Sequence, residues 1–171
     1  SYDSAGRITG YTENGQSKLF AYDAMGNPVK YKVSALTEAD NFTWTQGRKL
    51  ASGTLNGNTF AYEYDPNGIR YKKTVNGLTT EYYLNGNQIL AENRIGNGGM
   101  IYYIYDPTGI AGMIYNNAYY YFDKNTLGDI IRIRDASGTT VATYNYDAWG
   151  NATGFGAMYD INPFRYRGYY Y

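Results

Sequence analysis

Apolar and polar residues alternate along this chain with a period of two. In TFAYEY, residues 59–64, Phe60, Tyr62 and Tyr64 fall on one side and Ala61 and Glu63 on the other. In IIRIRD, residues 130–135, Ile131 and Ile133 oppose Arg132 and Arg134. A helical period is sustained nowhere; SALTEAD, residues 34–40, is the best exception, and it reads as a short turn that widens a loop. The pattern predicts short strands separated by turns.

Two kinds of turn punctuate the strands. ENGQ, LNGN and VNGL, beginning at Glu13, Leu55 and Val75, place Asn-Gly between β-prone runs, with GNGG at Gly96 and YNNA at Tyr115 as variants. Asn-Gly suits the hairpin turn whose two central residues both need positive φ. The other turn is Asp-x-x-Gly, at Asp3 and Gly6, Asp23 and Gly26, Asp65 and Gly68, Asp106 and Gly109, Asp135 and Gly138, and Asp147 and Gly150. There the Asp carboxylate accepts a backbone N–H two residues on, and the Gly takes the left-handed conformation that closes the bend. Pro66 and Pro107 sit where their fixed φ already matches.

The aromatic residue before each bend recurs at Tyr2, Tyr22, Trp44, Tyr64, Tyr83, Tyr105 and Phe122, steps of roughly 20 residues, and returns at Tyr146. The repeating unit is strand, Asp turn, strand, Asn-Gly turn. The expected fold class is all-β: repetitive antiparallel β-hairpins forming a spiralling sheet or shell segment.

Composition narrows the chemistry. Among 171 residues there are 23 Tyr and 21 Gly but neither Cys nor His. Disulfides, thiolate metal sites, Cys nucleophiles and imidazole-based triads are therefore excluded. Tyr nearly equals Ile, Leu and Val combined, which suits a sheet with water near both faces. Lys plus Arg equals Asp plus Glu at 15 each, so bulk charge shows no nucleic-acid footprint. No apolar run approaches the roughly 20 residues of a helical membrane span.

The Tyr-Asp-x-x-Gly units resemble the Rhs/YD-repeat family, which includes bacterial Rhs and wall-associated polymorphic toxins, Tc-toxin cocoon components and teneurin ectodomains. The resemblance is strongest over residues 119–154, YYYFDKNTLGDIIRIRDASGTTVATYNYDAWGNATG, and continues in NPFRYRGYYY, residues 162–171. These segments are similar to the opening of the family's Rhs-associated core, with Phe122 where many members carry His. The domain organisation expected is a YD-repeat array over 1–118, continuous with a truncated core-like segment over 119–171.

The resemblance implies a β-ribbon wound into a hollow shell around a toxic C-terminal polypeptide, secreted or on the bacterial surface. The partners implied are flanking repeats and the enclosed toxin of the same polypeptide. Family members use Asp residues beyond the core for autoproteolysis, and no residue here matches that segment. The alternative function is a cell-surface recognition array binding glycan or protein through exposed Tyr residues.

Several motifs also admit a chemical reading. Repeated Asp suggests calcium, but isolated turns about 20 residues apart supply one carboxylate each where calcium wants six to eight oxygens. Asp123 and Asp129 flank KNTLG as a candidate carboxylate pair, with nothing to set their protonation states apart. RIGNGG at Arg94 lacks the Lys-Ser/Thr of a phosphate loop. Arg132, Arg134, Arg165 and Arg167 read as a solvated strand face balanced by acids. No catalytic, metal or cofactor-binding residue is expected, and no enzymatic activity. Raw strand edges of an excised section are expected to pair edge to edge with another copy.

Overall fold

The computed structural model of the protein describes residues 1–86, 88–96 and 98–171. Strands dominate, and the described residues contain no α-helix. The order is β1 (Gly10–Glu13), β2 (Gln16–Tyr22), β3 (Pro28–Val33), β4 (Asn41–Thr45), β5 (Lys49–Leu55), β6 (Asn58–Tyr64), β7 (Arg70–Val75) and β8 (Leu78–Asn85). There follow β9 (Gln88–Ile95), β10 (Gly99–Asp106), β11 (Gly109–Tyr115), β12 (Ala118–Lys124), β13 (Ile130–Asp135), β14 (Thr140–Tyr146) and β15 (Ala152–Phe155). Neighbours in sequence are neighbours in space: β1 to β3 form a three-stranded sheet and β4 to β15 a 12-stranded one. This is the all-β array of antiparallel hairpins that the period-two pattern predicts.

The two turn types do the bending. At Asn14-Gly15, Asn56-Gly57 and Asn76-Gly77 both central residues have positive φ, 51 and 76°, 51 and 77°, and 50 and 80°. That geometry matches the right-handed twist of the flanking strands. Asn97 of GNGG lies outside the described residues. SALTEAD is a loop between β3 and β4, held where Glu38 Oε1 accepts the backbone N–H of Ser34 at 2.8 Å and Lys30 Nζ donates to the Asp40 carbonyl at 2.8 Å.

The chain divides into two compact units, Ser1–Tyr82 with Arg94–Gly98, and Tyr83–Asn93 with Gly99–Tyr171. In the first unit Phe20 is buried between Tyr11 and Tyr31, at 6.0 and 5.4 Å between centroids. Further along, Phe42, Gly53 and Phe60 stand in register across β4, β5 and β6. A Cβ at Gly53 would meet the Phe60 and Phe42 rings at 2.6 and 2.7 Å, so the missing side chain is what lets the two rings close over the backbone. Phe60 continues the row to Tyr62 at 5.5 Å.

The second unit has the larger core. One face of β10 to β14 presents Ile101, Tyr103, Met113, Phe122, Ile133, Ala142 and Tyr144, all buried. The chain after β15 covers that face, adding Met158, Ile161, Phe164 and Tyr170. Phe164 meets Tyr103 edge-on at 4.8 Å and Tyr170 at 5.5 Å. Burying each such side chain stabilises by about 1.5–3 kcal/mol. Alternation in IIRIRD is broken by a bulge: Asp123 pairs with Arg132 and Lys124 with Ile130, so Ile131 is skipped in the register. Ile130 and Ile133 are consequently buried, and Ile131, expected on the side of Ile133, is exposed.

Gly53→Ala is expected to destabilise the first unit by about 1–3 kcal/mol, because the added methyl must displace two rings and a carbonyl. Denaturant unfolding checks this. The same substitution at Gly57, which has nothing within 4 Å, tests backbone conformation alone, since its φ is 77°.

Candidate functional site

The recurring unit is the strongest candidate for a site, and its atoms can be followed in each copy. In the Asp3 turn, Oδ1 accepts the N–H groups of Ala5 and Arg7, both at 2.9 Å. The backbone closes on itself as Asp3 N–H donates to the Arg7 carbonyl at 2.9 Å and Gly6 N–H to the Asp3 carbonyl at 3.0 Å. The Asp23, Asp135 and Asp147 turns repeat this: Oδ1 takes the N–H two and four residues on at 2.8–2.9 Å. Asp65 keeps the backbone pair, and its Oδ1 accepts Ile69 N–H at 2.8 Å. Gly6, Gly26, Gly68, Gly138 and Gly150 all have φ between 76 and 86°.

Asp106 differs. It pairs directly with Gly109 across the strands, while its Oδ1 accepts both the N–H and the hydroxyl of Thr108 at 2.7 Å. Asp135 lies in the β13–β14 connection, a place taken by Asn-Gly turns between β5 and β6 and between β7 and β8. One bend was missed in the sequence. Asn125 Oδ1 accepts Leu127 and Asp129 N–H at 2.9 and 3.0 Å, and Gly128 N–H closes on the Asn125 carbonyl at 3.0 Å. An Asn-x-x-Gly search at the same offset would have found it, since the amide oxygen accepts as the carboxylate does.

The residue just before each bend has its own task. The Tyr22 hydroxyl donates to the Ile8 carbonyl at 2.8 Å, and Tyr64 to Leu50 at 2.9 Å. Tyr105 donates to Ile89 and Tyr146 to Ile130, both at 2.7 Å. Trp44 uses its indole N–H on the Pro28 carbonyl at 2.8 Å, and Lys124 its ammonium on the Thr108 hydroxyl at 2.7 Å and carbonyl at 3.4 Å. Ile8, Pro28 and Ile130 each lie five places after the acid or amide of the preceding bend. Ala152 stands in that place after Asp147, and Tyr159 of the covering segment donates to its carbonyl at 3.2 Å. Each side chain thus ties one bend to the next. Tyr83 and Phe122, read as repeat markers, do not serve this way: Tyr83 is exposed, and Phe122 is core while Lys124 holds the place before the bend.

The remaining candidates resolve into separate partners. Asp123 sits on the open face, where Arg132 Nε and Arg134 Nη2 reach it at 2.7 and 2.6 Å. Burial opposes ionisation of Asp123, but the two guanidiniums prevail and hold its carboxyl below the ordinary value. Asp129 is buried and accepts Arg167 N–H at 2.8 Å and Asn125 Nδ2 at 2.7 Å, anchoring the covering segment. Arg165 is not on a strand face: it lies over the rings of Tyr159 and Tyr171 at 4.8 and 4.7 Å. Among the described residues, no three acidic, His or Cys side chains gather as a metal site would require.

Electrostatics follows these contacts. Hydrogen bonds lower the carboxyl pKa below its ordinary value at Asp3, through Arg7 N–H first, and at Asp23 and Asp147, through the Asn27 and Asn151 side chains first. Thr108 and Ser137 hydroxyls do so at Asp106 and Asp135. Burial pushes the hydroxyls of Tyr105 and Tyr144 up to about 12 and raises that of Tyr146 as well.

Comparison with known proteins bears on this unit. The RHS Repeat family model matches residues 2–43. The tRNA nuclease WapA of Bacillus subtilis (strain 168) is 39% identical over 138 residues, 76% of this chain and 6% of that protein. The chain belongs to the Rhs/YD-repeat family. The tRNA3(Ser)-specific nuclease WapA of Bacillus spizizenii is 38% identical over the same length. The Rhs-repeat chain spans 6% of the length of these curated relatives. Among solved structures, TcdB2-TccC3 matches with a TM-score of 0.55 at 15% identity, over 87% of this chain and 8% of that one. A Photorhabdus luminescens Tc holotoxin pore matches with a TM-score of 0.54 at 15% identity, over 98% and 10%. At such identity the likeness is one of fold, and it extends over 8% and 10% of those two chains.

Tyr146→Phe removes a hydroxyl and leaves the Ile130 carbonyl without that donor; a loss of about 0.5–1.5 kcal/mol in denaturant unfolding is expected. Because the folded-state pKa values of Tyr105 and Tyr144 are raised, their contribution is complete below the unfolded value near 10 and is lost as pH rises towards about 12. Tyr105→Phe should therefore flatten the alkaline limb of stability against pH. The turn carboxylates have the opposite sign. With lowered folded values they contribute above about pH 4 and lose that contribution as pH falls further, so Asp147→Asn should flatten the acid limb.

Proposed function

We propose that this Rhs-repeat chain is a section of wall in a secreted or surface-bound bacterial toxin, and that the whole protein winds such ribbon into a shell around a toxic C-terminal polypeptide. The observation that carries the reading is the tie between bends. Five Asp carboxylates take two or more hydrogen bonds within their own turn, and the side chains before successive bends reach back to the previous one. Groups so engaged serve mechanical continuity. A ribbon whose bends are tied in this way propagates from neighbour to neighbour, as a wall must.

The nuclease activity in the relatives' names belongs, in this reading, to sequence outside the matched repeat. Residues 119–171 form the opening of the core-like segment, continuous with the array over 1–118. Its residues after β15 act as a lining that dries one face of the wall. Flanking repeats and the enclosed polypeptide are the partners of this section, with edge pairing between copies confined to excised pieces whose terminal strands lack neighbours.

The test uses the full-length protein carrying this segment. Protease is added to the intact molecule and to its isolated C-terminal polypeptide, and the survival of that polypeptide is followed by mass spectrometry. Enclosure predicts digestion at least tenfold slower in the intact molecule, with protection lost on denaturation of the wall. Equal digestion rates would overturn it.

A further inference from the structure

The open face of the second unit carries a feature that wall-building does not require. Tyr102 of β10, Ile114 of β11 and Tyr119 of β12 stand in register on the side opposite the core, and the two tyrosines remain 50% and 49% exposed. At the end of this row, the hairpin joining β11 and β12 turns through Asn116 and Asn117, with φ of 50 and 60°. The corresponding hairpins at Gly15, Gly57 and Gly77 use glycine at the second of these positions. Asparagine tolerates this left-handed conformation best after glycine, so Asn117 keeps a side-chain amide at the tip of the hairpin without breaking the turn.

Met100, Tyr102, Ile114, Asn116 and Asn117 line a concavity of about 280 Å³, close to the lower end of ligand pockets at roughly 300 Å³. The lining holds no ionisable acid, Lys or Arg, which leaves nothing to balance a charged ligand. Strands β10, β11 and β12 are interior to the sheet, so their backbone groups are already paired and an added peptide strand finds no partner. What the site offers is a flat aromatic surface, apolar side chains and two amides that each donate and accept. A pyranose ring, with one apolar face and a rim of hydroxyls, matches that set.

We propose that the β11–β12 hairpin and Tyr102 form a binding site for a neutral oligosaccharide, the sugar ring lying on Tyr102 with its hydroxyls on the Asn116 and Asn117 amides. Tyr119 extends the surface to a second ring. The site occupies the face turned away from the covering segment.

The test is saturation-transfer NMR titration of the full-length protein carrying this segment with chitotriose and, separately, cellotriose, following the sugar ring protons. Saturable transfer to at least one trisaccharide is expected. Tyr102→Ala should weaken binding about tenfold, equivalent to one ring contact. Asn117→Gly retains the turn geometry and should weaken it severalfold by loss of the amide alone. Tyr71→Ala, on an exposed tyrosine of the first unit, should leave it unchanged. Absence of saturable transfer with both sugars, or binding that survives Tyr102→Ala and Asn117→Gly, overturns the proposal.

Discussion

A hydrogen bond from one side chain to one backbone carbonyl holds this ribbon in step. A hairpin by itself constrains only the two strands it joins, and two-stranded units are marginal in water. The donor before each bend removes that independence, because Tyr22, Trp44, Tyr64, Tyr105 and Tyr146 each reach a carbonyl 14 or 16 residues back. Burial raises the Tyr105 pKa to about 12, so the hydroxyl stays a donor across the physiological range. Trp44 and Lys124 show that the requirement is for a donor of sufficient reach rather than for tyrosine as such.

Given that tie, the rest of the architecture is a matter of which face is dried. In the first unit, aromatic rings close over glycine, as Phe42 and Phe60 do at Gly53. In the second, the chain itself returns. Asn162, fully buried, donates to the Phe164 carbonyl at 2.5 Å and accepts its N–H at 3.1 Å, while Tyr159 stacks on Tyr144 at 4.9 Å. The Tyr170 hydroxyl reaches the buried Glu92 at 2.7 Å. These polar pins orient a segment whose apolar side chains then supply most of the burial, and they explain how 16 residues without regular strand come to serve as a core layer.

The same geometry explains what occupies the carboxylates of the described turns. A catalytic acid or base needs a pKa tuned towards its task and a free path to substrate. Here the turn acids are held in the opposite direction, further from neutrality, by N–H and hydroxyl donors of their own bend. Asp123 is neutralised by Arg132 and Arg134, and Asp129 is committed to the Arg167 backbone. In these turns the carboxylates make one strand follow another.

By itself the sequence determined every feature whose cause is local. Positive φ at Asn-Gly, the two N–H groups within reach of an Asp side chain, and the alternation of Phe60, Tyr62 and Tyr64 all act within a few residues, so pattern reveals them. The Asn125 bend is equally local and differs only in carrying an amide where the other bends carry an acid. Tertiary structure alone decided the rest. Ile130 and Ile133 are buried together because a bulge at Asp123 and Lys124 shifts register, and that shift depends on what the partner strand must match. The destination of each tyrosine hydroxyl, the burial of Arg165 among rings, and the return of residues 156–171 over the sheet join positions distant in the chain. Contacts of that kind leave no periodic trace, because spacing along the backbone does not encode which surface a side chain will meet.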